Sequence, residues 1–224
     1  MTNAETVILA FDTSGPFCNA AIWRDDRVIA ESYAEMARGQ AETLMPMIAD
    51  LMAEAGVGRR HLSGIGVGVG PGNFTGLRIS VAAARGLALA LNRPAIGVSN
   101  FDVLMAQAGW PSGSVLVSLP GPRGSAYVQH YDNAAPAGPP ENVVPEHRQI
   151  AEASLVLGHA ADTLAHALPQ ALTDPAELPR PAAIIATCAA RALDSHDPQD
   201  RPAPLYVRPP DAEPQRQLSP QILS

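Results

Sequence analysis

The chain has no lysine: all 15 of its basic residues are arginines. Schiff-base chemistry, a lysine nucleophile and a P-loop lysine on a phosphate are therefore excluded. Aromatic residues make up 4% of the 224 positions, too few for a base-stacking platform. Cys18 and Cys188 form neither a disulfide framework nor a CxxC site, which fits a reducing cytoplasm. Basic charge is also short, since the formal net charge of -7 argues against a surface that grips nucleic acid by itself and leaves contact through a basic partner open. The histidines, at 61, 130, 147, 159, 166 and 196, include no HExxH or HxxxH pair, so no metal site is expected. No GxSxG elbow is present. The N-terminus lacks the basic region of a signal peptide, and the longest apolar window, Ile79 to Leu91, is interrupted by Arg85 and falls short of a membrane span.

What is present centres on Ser63 to Leu91, SGIGVGVGPGNFTGLRISVAAARGLALAL. Ile65, Val67 and Val69 alternate with Gly66, Gly68 and Gly70. That spacing predicts a buried strand with one branched face and one face open to close backbone approach. Pro71, Gly72 and Asn73 break the strand, and Thr75 is the expected N-cap of a helix starting near Gly76. Two readings of the glycines stand open: an anion cradle formed with the first amides of the helix, or a tight strand-to-helix crossing with no ligand. The run fits neither GxGxxG nor a P-loop. Along the helix, Leu77, Val81, Ala84, Ala88 and Leu91 form one stripe, while Ile79, Ala83, Leu87 and Ala90 cover the opposite side, leaving Arg78 and Arg85 as a charged seam. One sheet covers one side of such a helix. A second helix, domain or chain must cover the other, and its alanines with Gly86 permit close packing.

Residues Thr6–Asp12, Cys18–Trp23 and Val28–Tyr33 read as three antiparallel strands joined by tight turns. The first turn, Asp12-Thr13-Ser14, has an acidic, hydroxyl-rich mouth of the kind that faces a metal-bound phosphate; alternatively Asp12 caps the turn through its own backbone. Gln40 to Ala55 has helical periodicity, with Leu44, Ile48, Leu51 and Ala55 in line, Met45, Met47 and Met52 flanking them, and Pro46 expected to kink it. Ala95–Val98 follows as a strand, Ser99 as the cap of a helix over Asn100–Ala108, and the first domain is expected to close there, at residues 1–108. A smaller lobe at 109–208 would contain a strand pair, Ser114–Leu119 and Ser125–Tyr131, a Pro-rich surface loop at Ala134–Pro140, a short strand at Leu155–Gly158, a helix at Ala182–Leu193 and a last strand at Ala203–Arg208. A mobile tail, 209–224, would end the chain.

The GPGNFTGLRI segment, with ILAFDTS before it, the helical MPMI segment and PLYVRPPDA near the end, resembles the bacterial TsaB (YeaZ) family. The resemblance implies a two-lobed actin-like ATPase fold (ASKHA, ribonuclease H-like), α/β with mixed central sheets and flanking helices. It implies a non-catalytic scaffold and activator of TsaD, which transfers threonylcarbamoyl to the adenosine beside the tRNA anticodon, with TsaE completing the set, tRNA reached only through the complex, and no cofactor of its own. The expected interface residues are Leu44, Met47, Ile48 and Leu51 on one helix and Arg78, Val81, Arg85 and Leu87 on the next, joining two TsaD helices in a four-helix contact; a homodimer on the same face is an open expectation. A second reading is an actin-fold ATPase or phosphotransferase, using Asp12, Thr13, Ser14, Gly70, Gly72 and Thr75 around a nucleotide. Two positions depart from the family pattern: Gln40 stands where a histidine is common, and Pro120-Gly121-Pro122 where an Asp-Ala-Arg segment is common.

Overall fold

The computed structural model describes residues 5–147, 153–166, 171–178, 180–197 and 199–207. Two mixed sheets carry the chain. The first has the order β3-β2-β1-β4-β5, from β1 (Val7–Asp12), β2 (Phe17–Arg24), β3 (Arg27–Glu35), β4 (Gly64–Gly70) and β5 (Ala95–Ser99). β1, β2 and β3 are an antiparallel meander, and β1, β4 and β5 run parallel. The β2–β3 turn is as tight as its sequence suggests, because Asp25 and Asp26 both take left-handed backbone with φ of 43° and 66°.

Period-two alternation along β1 assigns its side chains to two cores. Val7, Leu9 and Phe11 join Ile65, Val67 and Val69 beneath α1 (Gln40–Glu54) and α2 (Phe74–Leu91). Ile8 and Ala10 point to the other face, where they meet α5 (Pro181–Ala192). The glycine face of β4 is the seat of that helix. A Cβ at Gly66 would lie 3.0 Å from the Ala189 Cβ and 3.1 Å from Ile185, and one at Gly64 would lie 3.0 Å from Leu193. The backbone approach expected at these glycines is thus made by a helix from the far end of the chain. Asn19 in β2 accepts a hydrogen bond from the Ala182 backbone N–H at 2.8 Å and helps to cap that helix.

The expected division at residue 108 therefore fails for α5, which returns to the first sheet because Ile8, Ala10, Ile96 and the β4 glycines leave an apolar trough that its Ile185, Ala186 and Ala189 fill. The second sheet has the order β11-β10-β6-β7-β8, with β9 also on β7, from β6 (Ser114–Pro120), β7 (Ala126–Asp132), β8 (Ala135–Pro136), β9 (Glu141–Val143), β10 (Leu155–Gly158) and β11 (Leu172–Asp174). α4 (Ala161–Ala165) lies against β10 and β11. The short strand β8 falls inside the stretch read as a loop, and β11 escapes the sequence pattern because its three residues are all exposed. α3 (Asn100–Gln107) connects the lobes; Ser99 caps it as expected, and Tyr131 of β7 donates to the Asp102 carboxylate at 2.8 Å.

Residues 203–207 form no strand. Leu205 makes one backbone bond to the Val69 carbonyl at 2.8 Å and otherwise crosses the first lobe as a strap. Arg208 and the tail at 209–224 lie outside the described residues.

Candidate functional site

The turn between β1 and β2 docks into the start of α2. Asn73, not Thr75, is the N-cap: its side chain accepts from the Gly76 N–H at 3.0 Å, and Thr75 is exposed one residue into the helix. The cap falls two residues earlier than expected because Asn73 also donates its own N–H to the Ser14 carbonyl at 2.6 Å, which fixes the chain entry. Thr13 donates its hydroxyl to the Gly76 carbonyl at 2.7 Å. A Cβ on Gly72 would sit 2.7 Å from the Ser14 carbonyl, and one on Gly76 would strike the Thr13 carbonyl. The space in which a Cβ of Gly72 or Gly76 would stand is taken by the protein's own turn. The tight strand-to-helix crossing is formed, and Gly72 also lines the cleft between the two sheets. Gly70 has φ of 92° and underlies Leu77.

Asp12 is fully buried and caps the turn through Ser14, accepting from its N–H at 2.7 Å and from its hydroxyl at 2.9 Å. Its carboxyl rests on Gly68, where a Cβ would lie 2.6 Å from Cγ. Burial pushes the Asp12 carboxyl up from 3.8 to about 6, against the pull of the Ser14 bonds. Burial likewise raises the Cys18 thiol to about 11, with the Asp12 charge adding to it, and the Cys188 thiol to about 11, so both remain protonated and unreactive.

A cleft of about 560 Å³ opens between the two sheets, with Asp12, Ser14, Gly72 and Asn100 on one wall and Ser118 and His159 on the other. Asn100 donates to the Pro71 carbonyl at 2.9 Å and to the Ser14 hydroxyl at 3.3 Å. Its Oδ1 and the Ser118 hydroxyl are buried with no partner. Among the described residues that line the cleft none is an arginine, and the carboxyl groups are Asp12 and Glu177. Thr13, Gly70 and Thr75 do not line the cleft, so the six residues considered for a nucleotide are not brought together around one space. No group of three or more His, Cys, Asp or Glu side chains arranged for a metal occurs among the described residues. Pro120 borders the cleft mouth, while Gln40 lies elsewhere, at the start of α1, donating to the Met36 carbonyl at 3.3 Å.

The second candidate surface is the outside of α1 and α2. Four of the expected interface residues, Leu44, Ile48, Leu51 and Val81, are at most 3% exposed and belong to the core between these helices and the first sheet. They are the inward stripe, so a partner cannot touch them. Met47 and Leu87 are half-buried at the edge. What faces outward is a different set: Ala82, Gly86, Leu89 and Ala90 on α2, and Met45 on α1. Leu89 is 84% exposed. α2 is long and apolar enough to cross a membrane by length and composition, contrary to the sequence expectation, and 28% of its residues are buried. The buried ones, Gly76, Leu77, Ser80, Val81 and Ala84, form a single stripe against the sheet. A bilayer would have to strip that stripe from the core.

Arg78 and Arg85, expected to meet a partner, are held by the C-terminal strap. Arg85 donates to the Pro202 carbonyl at 2.7 Å. Arg78 donates to the Tyr206 hydroxyl at 3.3 Å and lies 3.7 Å over the Phe74 ring, which stacks obliquely on Tyr206. At about 100° per residue, Arg78, Arg85 and Leu89 fall on one flank of the helix and Ile79, Ala83 and Leu87 on the other, beside α1. Sequence periodicity found surplus apolar surface without saying which stripe was surplus, and the residues taken from the family resemblance include the inward stripe.

Two mixed α/β sheets on either side of a cleft, with helices on both faces of the first, make this an actin-like ATPase fold. Component A of (R)-2-hydroxyglutaryl-CoA dehydratase from Acidaminococcus fermentans shares that fold, with a TM-score of 0.50 at 11% identity over 85% of this chain and 98% of that one. A Pseudomonas aeruginosa protein described as similar to peptidase YeaZ superposes with a TM-score of 0.73 at 28% identity, covering 91% of this chain and all of that one. The family model for TsaD, tRNA N6-adenosine threonylcarbamoyltransferase, matches residues 28–183. An uncharacterized Mycobacterium tuberculosis protein is 33% identical over 93% of this chain and 95% of its own length. The Escherichia coli tRNA threonylcarbamoyladenosine biosynthesis protein TsaB is 35% identical over 127 residues, which are 55% of this chain. That match spans 54% of the length of the E. coli protein. The chain belongs to this TsaD-type family and, within it, to the TsaB (YeaZ) proteins.

Proposed function

We propose that this chain is the non-catalytic partner subunit of a cytoplasmic complex that forms threonylcarbamoyladenosine in tRNA, and that it docks TsaD through the outward faces of α2 and the adjoining edge of α1. The observation that carries the reading is the 18-residue apolar helix with 28% of its residues buried. Its outward residues are small, which lets a partner helix approach closely, and Leu89 stands out as an anchor. Burying one leucine at an interface is worth about 1.5–3 kcal/mol. The Asp12 carboxyl is buried and accepts two hydrogen bonds from Ser14, which favours a contribution of surface over one of chemistry. In the absence of TsaD the same face would pair two copies of the chain, and TsaE would join the assembled complex.

The test is co-purification. Leu89→Asp is expected to cost the isolated chain no more than about 1 kcal/mol, the propensity and dipole penalty of an aspartate in the last helical turn, because the side chain already stands in solvent, while weakening retention of TsaD by at least about tenfold. Undiminished retention would remove α2 from the interface.

A further inference from the structure

At the C-terminal end of α2 a concavity of about 620 Å³ is lined by Arg85, Arg93 and Arg201, with His196 and one carboxylate, Asp200, on its wall. Its floor is apolar, from Leu193, Pro94 and Ala95. The three arginines arrive from different places: the helix, the turn that follows it, and the C-terminal strap. Pro202 is buried and packs its Cβ 3.3 Å from where a Cβ on Gly97 would stand, which anchors Arg201 beside the rim. Arg85 spends its Nε–H on the Pro202 carbonyl and keeps its terminal amines. Among the described residues the one ion pair joins Arg24 to Glu5, and no described carboxylate, Asp200 included, pairs with Arg85, Arg93 or Arg201.

Arginines near a helix C-terminus also offset its dipole, an effect confined to the last turn and worth only tenths of a kcal/mol when exposed. That accounts for Arg93 after the Asn92 cap. It does not account for Arg201, which comes from another segment, nor for three such groups around one hollow in a chain of net charge -7. Guanidinium forks on the wall of one concave site suit a tetrahedral phosphate, whose oxygens can accept two parallel bonds from a single fork.

We propose that this concavity is a phosphate-binding site and that, within the complex with TsaD, it holds a backbone phosphate of the bound tRNA. This rests on the reading of the chain as a subunit of a tRNA-modifying complex. Gly86 and Leu89 of the outward face of α2 also line the concavity, so a partner docked on that face would form part of its wall and place the site at the seam between the two proteins. The acidic remainder of the chain repels polyanions, so the contact adds to RNA binding by the partner and does not replace it.

The experiment uses the complete chain co-purified with TsaD and measures fluorescence anisotropy of labelled tRNA across a salt series, for the wild type and for Arg93→Gln/Arg201→Gln. The expected result is retained TsaD, an unchanged unfolding midpoint, an approximately tenfold loss of tRNA affinity near 0.1 M salt, and a log–log salt slope shallower by about one unit. Unchanged tRNA affinity with TsaD retained would overturn the proposal. If 10 mM inorganic phosphate stabilises the isolated wild-type chain but not the variant, while tRNA affinity is unchanged, the site takes free phosphate and the RNA assignment falls. Loss of TsaD from the variant alone would make these arginines part of the protein interface, overturning the phosphate site but leaving the docking reading in place. A wild-type chain that fails to retain TsaD would overturn both.

Discussion

At the scale of single residues the glycines and Asp12 are best understood together. Gly68, Gly72 and Gly76 are small because the Asp12 carboxyl, the Ser14 carbonyl and the Thr13 carbonyl respectively occupy the space that a Cβ would take. The sequence displayed the glycines and the hydroxyl-rich turn as two separate signals, and no spacing rule says that one fills the other. Ser99 as a helix cap was legible because it is followed by Asp102, which completes a reciprocal capping box. Thr75 misled because Asn73, an equally good cap, sits two residues earlier and is selected by its tertiary bond to Ser14. The burial of Asp12 has a consequence for pH. Its carboxyl binds its proton more tightly in the folded protein, at about 6, than in the unfolded chain near 3.8. Folding is therefore unpenalised by this group below about pH 4, loses stability as pH rises between those values, and carries the full cost above about pH 6. Two pH units correspond to about 3 kcal/mol at most. Asp12→Asn, which keeps an acceptor for the Ser14 N–H, should abolish this fall, so that urea midpoints measured from pH 4 to pH 7 decline less for the variant than for the wild type. Parallel curves would show that Asp12 does not titrate in this range.

At the scale of elements, periodicity served well wherever one face is buried against one layer. The three-stranded meander, the strand pair of the second sheet, and the positions of α1, α2 and α3 follow from alternation, turn residues and caps. It served poorly on α2, where apolar residues lie all round and the pattern cannot say which stripe meets the sheet. Leu77, Val81 and Ala84 win that contact, and Gly86 is left outward, with open space where a Cβ would stand. Gly86 thus separates intrinsic stability from docking. In the free chain Gly86→Ala should raise stability by about 0.5–1 kcal/mol, since glycine within a helix costs that much relative to alanine. If a partner helix packs closely on this face, the same methyl should weaken TsaD retention. A variant that is more stable and binds TsaD as tightly as the wild type would place the close approach elsewhere on the helix. Larger side chains sharpen the contrast: Gly86→Leu should still fold, because the position is open, and should bind least.

At the scale of the whole molecule the order of elements in the chain is not the order in space. Residues 182–193 read as a helix, which the structure places at Pro181–Ala192, but nothing in AAIIATCAARAL announces that it returns to the first sheet. The clue lies some hundred residues earlier, in the glycine face of β4, which needs an occupant as small-sided as an alanine-rich helix; pairing the two from sequence would have required matching one trough to one ridge. The strap at 202–206 repeats the lesson, since its proline, leucine and tyrosine hold Arg85, Val69 and Arg78 of the first lobe. The first lobe consequently has a two-sided sheet for which residues 1–108 supply α1 and α2 on one face and Val103 of α3 on the other, where α5 is the main cover. Cutting the chain at 108 would bare Ile8, Ala10, Trp23, Ile96 and Val98, all under 8% exposed in the intact protein. Such a fragment should be insoluble or should bind hydrophobic dyes strongly, with weak protection of β1 and β4 amides in hydrogen exchange. Co-expression of residues 109–224 as a separate chain should restore both solubility and protection, because α5 can then reach its trough in trans. A fragment that folds cooperatively without it would mean that the first sheet is held by α1 and α2 alone and that α5 is an added layer, not half of the lobe's core.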